Sequence, residues 1–96
     1  MKSGNLVSGT YATEKAIKEM RAYVVIIADD VSDNTREHYT KMCKYYDIPL
    51  YFMSTKEGLG HAIGKEYRAS LAIIDQGLAN AIINNINREV ADIWQK

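Results

Sequence analysis

The continuous apolar run at residues 23–28, Tyr-Val-Val-Ile-Ile-Ala, restricts the possible folds of this chain more than any other feature. Such a β-branched run is typical of a strand covered on both faces, because a strand with one wet face alternates apolar and polar residues. Residues 70–74, Ser-Leu-Ala-Ile-Ile, predict the last long strand. A sheet that is covered on both faces needs helices on each side, so these runs predict an α/β protein.

The segments around these runs predict four helices and two shorter strands. The strands are expected at residues 5–7 and 50–53. The predicted helices run from a cap at Ser8 to about Arg21, from Ser32 or Asp33 to about Tyr46, from a capping box of Ser54 and Glu57 to Gly64, and onward from Asp75. In the last helix the residues expected to face the core are Leu78, Ile82, Ile86, Val90 and Ile93. Alternating strands and helices predict a mixed sheet with helices on both faces.

Size and composition set broad limits on the class of protein. Ninety-six residues suit one compact domain, predicted over residues 1–96. No apolar run approaches the roughly 20 residues of a membrane helix and the N-terminus lacks an apolar signal core, so a soluble cytoplasmic protein is expected. The lone Cys43 fits a reducing compartment. A net charge of zero argues against a broad, nonspecific nucleic-acid clamp but leaves room for a small basic site.

Two segments together predict a platform for a negatively charged ligand. Residues 9–15 are expected to begin a helix, whose first N–H groups are free and lie at the positive end of the helix dipole. Residues 59–69 are expected to end a helix at Gly64 and to continue as a tight loop containing Lys65 and Arg68. If these two backbone ends are adjacent in space, they face the same ligand.

These segments also resemble a known family. The matching pieces are Val7-Ser8-Gly9-Thr10, the strand ending Ile27-Ala28-Asp29-Asp30, and Leu59-Gly60-x-Ala-x-Gly64-Lys65-x-x-Arg68. In this order and spacing, nearly the whole chain resembles the kink-turn RNA-binding ribosomal proteins of the L7Ae and L30e type, and among them the short bacterial YlxQ-type branch. The resemblance implies a three-layer α/β/α sandwich with a mixed, mostly four-stranded central sheet.

The resemblance further implies a bacterial ribonucleoprotein role. Members of the family bind RNA at a sharp bend flanked by tandem sheared G·A pairs, where the helix at the Gly9 position enters the widened major groove. The loop at residues 66–69 is then expected to pack under an extruded base. Bends and loops expose base edges that regular A-form RNA hides, so this mode of recognition is physically reasonable.

Residue by residue, the helix start matches the family pattern Gly-x-Asn-Glu-x-x-Lys only in part. Gly9 and Lys15 match, whereas Tyr11 replaces the Asn and Ala12 replaces the Glu. Ala12 cannot accept a hydrogen bond from a guanine edge, so a base contact worth about 1–3 kcal/mol is expected to be lost. Tyr11 could instead stack on a base or donate its hydroxyl to a phosphate. The residues predicted to bind RNA are Gly9, Thr10, Tyr11, Lys15, Lys18, Lys65, Tyr67, Arg68 and Ala69.

Each of these residues also has a purely structural interpretation. Gly9 and Thr10 could be a plain helix start, and Lys15 a solvated helix lysine. Lys65 and Arg68 could form a charged turn tip, and Tyr67 and Ala69 could serve packing alone. The alternative for the whole chain is a protein-interaction module of the same fold without kink-turn specificity, which the neutral charge and the Tyr11-Ala12 departure motivate. A positive patch favours RNA, and an exposed apolar patch favours a protein partner.

Gly58-x-Gly60-x-x-x-Gly64 has a superficial likeness to a nucleotide-binding fingerprint. It lies inside a predicted helix, and no Ser or Thr follows Lys65 as a P-loop requires. We therefore interpret Gly60 and Gly64, four residues apart on one helix face, as close packing on the sheet, and Gly64 also as a helix terminator.

Further polar clusters are interpreted as structural. Asp29, Asp30 and Asp33 could bind Mg²⁺, but such residues more often serve turns and caps. His38 and His61 have no partners at metal-ligand spacing, and Cys43 is expected in the core, so no metal, cofactor or catalytic activity is predicted. The Lys41, Lys44, Tyr45 and Tyr46 group fits the wet side of an amphipathic helix or, less readily, a nucleic-acid surface. The sequence thus predicts a monomeric RNA-binding module, with the ribosome or a structured noncoding RNA implied by the resemblance alone.

Overall fold

The computed structural model describes residues 4–94, and the side chains of residues 4–86. Strands and helices alternate along the chain, as the sequence predicts. The elements are β1 (Leu6–Ser8), α1 (Thr10–Lys18), β2 (Val24–Ile27), α2 (Asp33–Tyr46), β3 (Leu50–Phe52), α3 (Lys56–Ala62), β4 (Ser70–Ile73) and α4 (Gln76–Trp94).

The four strands form one mixed sheet in the order β1-β4-β2-β3. Strand β2 runs parallel to β3, and β4 runs antiparallel to both of its neighbours, with Val25 opposite Ala72 and Val7 also opposite Ala72. The two apolar runs of the sequence are the two central strands, and every residue in them is buried. The predicted mixed, four-stranded sheet is confirmed.

Alternate side chains of the central strands pack against different pairs of helices. Val25, Ile27 and Ala72 contact one core cluster, which α1 and α2 complete with Ile17 and Tyr39. On the other face, Leu59 of α3 packs with Ile26 and Leu71. Helix α4 adds Leu78, Ala79 and Ile82 beside Val24 and Ile73. The predicted three-layer α/β/α sandwich is therefore confirmed, as is the inward face of α4 at Leu78 and Ile82; the side chains of Val90 and Ile93 lie outside the described residues.

Two of the predicted helix caps are wrong by one residue. Ser8 belongs to β1, where it pairs with Leu71, and the N-cap of α1 is Gly9. The third helix is capped by Thr55, whose side chain accepts the Gly58 N–H, instead of by the box of Ser54 and Glu57. At the third helix, Ser54 has a positive φ of 63°, and Thr55 is the extended residue that precedes the helix.

The other caps agree with the sequence. Ser32 caps α2 and accepts the N–H of Thr35. Asp75 accepts the N–H of Leu78 at 2.8 Å at the start of α4. Helix α1 ends at Lys18, earlier than the predicted Arg21, because Met20 adopts a positive φ of 58°. None of the helices within residues 4–94 combines the length and apolar character that a bilayer crossing requires.

Candidate functional site

The start of α1 is fixed by a hydrogen bond to the central strand β4. The N–H of Gly9 donates to the carbonyl of Ser70 at 3.0 Å, and Gly9 has a φ of 92°, a conformation that side chains rarely adopt. The carbonyl of Gly9 then accepts the N–H of Thr13 at 3.0 Å, the first bond of the helix. Among the side chains of residues 4–86 none caps α1, which leaves the N–H groups of its first turn available to a ligand.

Arg68 connects the loop that precedes β4 to the strand that precedes α1. Its Nε donates to the Ser8 hydroxyl at 3.0 Å, and its Nη1 donates to the Tyr67 carbonyl at 2.6 Å. Its backbone N–H donates to the carbonyl of Lys56 at 3.0 Å. Among the described side chains no carboxylate forms a salt bridge with Arg68. The structure thus places the predicted residues Arg68, Gly9 and Thr10 together, with an uncompensated positive charge between them.

The loop between α3 and β4 lies directly against Gly60. A Cβ built on Gly60 would lie 2.6 Å from the carbonyl oxygen of Glu66 and 2.8 Å from the nitrogen of Tyr67. The Gly60 carbonyl in turn accepts the N–H of Lys65 at 2.7 Å. The interpretation of Gly60 as packing on the sheet is therefore wrong, since its neighbour is the loop backbone. Packing on the sheet is wrong for Gly64 as well, since a Cβ there meets no atom within 4 Å, but Gly64, with a φ of 76°, does terminate the helix as predicted.

Tyr39 of α2 is a buried side chain close to the start of α1. It is 2% exposed, and its hydroxyl donates to the Ser70 hydroxyl at 3.4 Å. Burial raises the pKa of Tyr39, so the hydroxyl remains protonated at neutral pH. Helix α2 is therefore linked by Tyr39 to Ser70 of β4, the residue whose carbonyl also accepts the Gly9 N–H.

A cavity of about 390 Å³ opens between the start of α1 and the first turns of α2. Its walls come from elements that are distant in sequence. The lining residues are Thr10, Glu14, Val31, Ser32, Asn34, Thr35, His38, Tyr39, Lys56 and Ala69. The predicted residues Thr10 and Ala69 are among them. Sequence reasoning missed the others; the i, i+4 spacing of Asn34 and His38, two polar residues on one side of α2, was the available signal.

The remaining predicted residues border other depressions. Tyr11, Lys15 and Lys18 line an open groove along α1, together with Glu14 and Glu19. Lys65 and Tyr67 are exposed at the outer end of the loop, in a depression shared with His61 and Glu66. The structure thus distributes these predicted residues over separate depressions instead of one pocket, and Thr10 lines both the cavity and the groove along α1.

The acidic cluster after β2 serves the turn. Asp29 contacts the guanidinium of Arg36 at 3.0 Å, and Asp30 accepts the backbone N–H of Lys56 at 2.9 Å. Within the described part of the chain, no three His, Cys, Asp or Glu side chains are grouped as a metal site would need. Cys43 is buried in the core, where desolvation raises the pKa of its thiol to about 11. On the wet side of α2, Lys41 pairs with Glu37 at 2.8 Å, and Tyr45 is 82% exposed.

Comparison with known proteins gives a consistent result. The model of the ribosomal protein L7Ae/L30e/S12e/Gadd45 family matches residues 1–83. The chain is 39% identical over 79 residues to the RNA-binding protein YlxQ of Bacillus subtilis, a match that covers 82% of this chain and 79% of that protein. It is also similar to a solved structure from Bacillus halodurans, described as a protein with unknown function. That match has a TM-score of 0.83 and 26% identity, and covers 88% of this chain and 86% of the other.

The matched residues 1–83 contain all four strands, the first three helices and every predicted site residue. The sheet order, the junction of β1 with α1 and the loop before β4 all lie within this match. The chain therefore belongs to the ribosomal protein L7Ae/L30e/S12e/Gadd45 family.

Proposed function

We propose that this protein binds structured RNA at a bend or loop, through the start of α1 and the adjacent loop 65–69. Its similarity to a protein named as RNA-binding supports the ligand class. The observation that carries the proposal is the contact between Arg68 and Ser8, which holds the two backbone ends side by side. A free helix start and an uncompensated guanidinium at one point suit a phosphate backbone that turns sharply.

Phosphates would be bound by three kinds of donor. The first is the N–H groups in the first turn of α1, which have no side-chain cap at Gly9, and the second is Arg68, whose Nη2 has no hydrogen-bond partner among the described residues. Lys15 follows one helical turn later on the exposed side of α1. These contacts would position the RNA without reading its sequence.

The cavity between α1 and α2 would receive one unstacked base. Its volume of about 390 Å³ is sufficient for a nucleobase, and Asn34, Lys56 and Thr10 supply polar groups for the base edge. Ala69 forms part of the wall near the loop, which agrees with a loop that packs beneath the base. Regular duplexes do not present such a base, so the cavity would favour RNA with an extruded nucleotide.

The type of RNA, and the way in which the protein binds it, are proposed from membership of the family. The RNA would be a kink-turn or a related bend in ribosomal or other noncoding RNA, bound by a protein monomer that needs no cofactor and performs no catalysis. Because Ala12 provides no hydrogen-bond acceptor, discrimination in favour of sheared G·A pairs should be weaker by about 1–3 kcal/mol than with a Glu at that position.

Isothermal titration calorimetry with a short kink-turn RNA tests the proposal. The control RNA has its sheared G·A pairs replaced by Watson–Crick pairs, so that it no longer bends. We expect binding to the bent RNA to be tighter, and Arg68→Ala and Lys15→Ala to weaken it. Lys41→Ala is the matched control, because Lys41 is already paired with Glu37 on α2.

Equal affinity for the bent and straight RNAs would overturn recognition of the bend. Loss of affinity in Lys41→Ala to the same extent as in Lys15→Ala would mean that any surface cation suffices. If neither RNA binds, the RNA-binding role is wrong, and the exposed side chains near the loop become candidates for a protein contact instead.

A further inference from the structure

An ionisable pair joins the two helices that enclose the proposed base cavity. Nε2 of His38 on α2 lies 3.4 Å from Oε2 of Glu14 on α1, and both residues line the cavity of about 390 Å³. Within residues 4–86 this is the one contact of a carboxylate with a basic side chain that connects two helices. We call these two residues the Glu14–His38 pair.

The net charge of this pair depends on the protonation of the histidine. Glu14 is the one acidic residue among the described residues that line the cavity. With a neutral imidazole the pair carries one negative charge, and with a protonated imidazole its net charge is zero. Histidine is the side chain whose ordinary pKa, about 6.5, lies between pH 5 and 8. The charge on this wall of the cavity is therefore sensitive to pH.

The other charged groups around the pair keep their charge over the same pH range. Lys56 of α3 is the further cation that lines the cavity, and burial raises the pKa of Tyr39, so that its hydroxyl stays protonated. Glu37 and Lys41, next to the histidine on α2, pair with each other at 2.8 Å. Carboxylates and lysines ordinarily titrate outside pH 5.5–8, so the histidine is the group that responds. The charged residues that share the groove along α1 with the glutamate of the pair are Lys15, Lys18 and Glu19.

We propose that His38 takes up a proton when RNA binds, so that the Glu14–His38 pair makes the affinity for RNA increase as the pH falls. This inference rests on the proposed RNA-binding function and adds a regulation of the same site. When His38 is neutral, the carboxylate of Glu14 repels the phosphates that its neighbour Lys15 is proposed to bind. Protonation of His38 cancels that charge. Because linkage is reciprocal, RNA that binds the protonated protein more tightly also draws a proton onto it.

Fluorescence anisotropy with the kink-turn RNA at about pH 7.5 and about pH 5.5, on either side of the ordinary histidine pKa, tests the inference. We expect the wild-type protein to bind about fivefold more tightly at the lower pH, within the tenfold that a shift of one unit in the pKa of a linked group allows. His38→Gln should abolish this difference. His38→Lys, which keeps a cation beside the glutamate, should bind equally well at both pH values.

The chain has one other histidine, His61, which does not line the cavity and serves as the matched control. His61→Gln should retain the full pH dependence. All variants are titrated with the same RNA, so any protonation of the RNA itself contributes equally to each of them.

Calorimetry in two buffers with different ionisation enthalpies provides the second readout. The difference between the two observed enthalpies gives the number of protons taken up with the RNA. We expect about 0.4 of a proton at the midpoint of the pH dependence, the amount that a fivefold linkage implies, and no such uptake in His38→Gln. Glu14→Gln should bind RNA more tightly than the wild-type protein at about pH 7.5, because the repelling carboxylate is gone.

The outcomes separate this inference from the function on which it rests. If the wild-type protein binds equally at both pH values and still depends on Arg68, the inference is wrong and the bend-binding function stands. If the pH dependence persists in His38→Gln or disappears in His61→Gln, another group takes up the proton, which also overturns the inference. Weaker binding of Glu14→Gln would mean that the pair only holds the helices together, and the inference fails again. If the RNA binds at neither pH, both proposals fail.

Discussion

At the residue scale, Arg68 combines a structural role with a proposed binding role. Its Nε and Nη1 groups are used within the protein, on Ser8 and on the Tyr67 carbonyl. The guanidinium nevertheless keeps its charge and further N–H donors on the outer side. A planar group with five donors can do both at once, whereas a lysine ammonium cannot reproduce the geometry.

Arg68→Lys should therefore weaken RNA binding although it preserves the charge. We expect an affinity loss of about tenfold, and a decrease in the free energy of unfolding of about 1 kcal/mol, because the hydrogen bond to Ser8 is lost. Calorimetry and urea unfolding measure the two effects. Ser8→Ala removes the same bond from the other side and should reproduce part of both. Wild-type affinity in Arg68→Lys would mean that charge alone is required.

Gly60 and Gly58 provide a matched pair of substitutions in α3. Gly60→Ala places a methyl group against the backbone of Glu66, which cannot rotate away, so we expect a loss of about 1–3 kcal/mol in the free energy of unfolding. At Gly58 the new methyl group meets the Ser54 hydroxyl, the end of a side chain that can rotate. Gly58→Ala should be neutral or gain up to about 1 kcal/mol from helix propensity. Urea unfolding of both variants compares them, and equal stability would show that the loop adapts.

At the element scale, the junction of β1 and α1 depends on one backbone conformation. Gly9 leaves the strand with a φ of 92° and begins the helix while its N–H remains bonded to β4. For a residue with a side chain, such a conformation is unfavourable by about 1–2 kcal/mol. The start of α1 is therefore positioned by the strand before it and not by a side-chain cap.

Gly9→Ala should destabilise the protein by about 1–2 kcal/mol through strain, since a Cβ there meets no atom within 4 Å. Amide hydrogen exchange should rise most in the first turn of α1. Gly4→Ala is the control, because its site is equally open and its φ is not positive. If both variants have wild-type stability, the conformation at Gly9 carries no strain penalty.

The elements themselves could be predicted from the sequence because their signals are local. The β-branched run predicted β2, and Ser32 and Asp75 predicted the starts of α2 and α4. Ser8 was misplaced as a cap because its role is set by pairing with Leu71, a residue far along the chain. Lys56 and Asn34 were missed for the same reason, since their shared cavity exists only after α1, α2 and α3 pack together.

At the scale of the whole molecule, two buried ionisable groups within residues 4–86 make the fold less stable at alkaline pH. Burial raises the pKa of Cys43 from 9.0 to about 11, and it also raises the pKa of Tyr39. The folded state therefore retains protons that the unfolded chain releases. The resulting stabilisation is complete below about pH 9 and is lost as the pH rises through the folded-state pKa values.

The free energy of unfolding should consequently decline above about pH 9. Cys43 accounts for about 2–3 kcal/mol of this decline up to about pH 11, since one pKa unit corresponds to about 1.4 kcal/mol. Urea unfolding from pH 7 to 11 measures the effect. Cys43→Ala should be less stable at pH 7 because of the cavity but should decline less steeply, with Tyr39 responsible for the remainder. A decline as steep as that of the wild type would exclude Cys43 as its source.

Because β4 is central in the sheet but late in the sequence, it determines when during synthesis the proposed RNA-binding site can form. Strand β4 pairs with β1 and β2, and the hydrogen bond from Arg68 to Ser8 spans 60 residues of chain. At about 5–20 residues per second, the ribosome adds the residues from Gly9 to Ser70 over about 3–12 s. During that interval the start of α1 has neither its strand partner nor its guanidinium. We therefore expect a nascent or truncated chain that lacks β4 to leave RNA unbound, so that only chains synthesised past β4 compete for it.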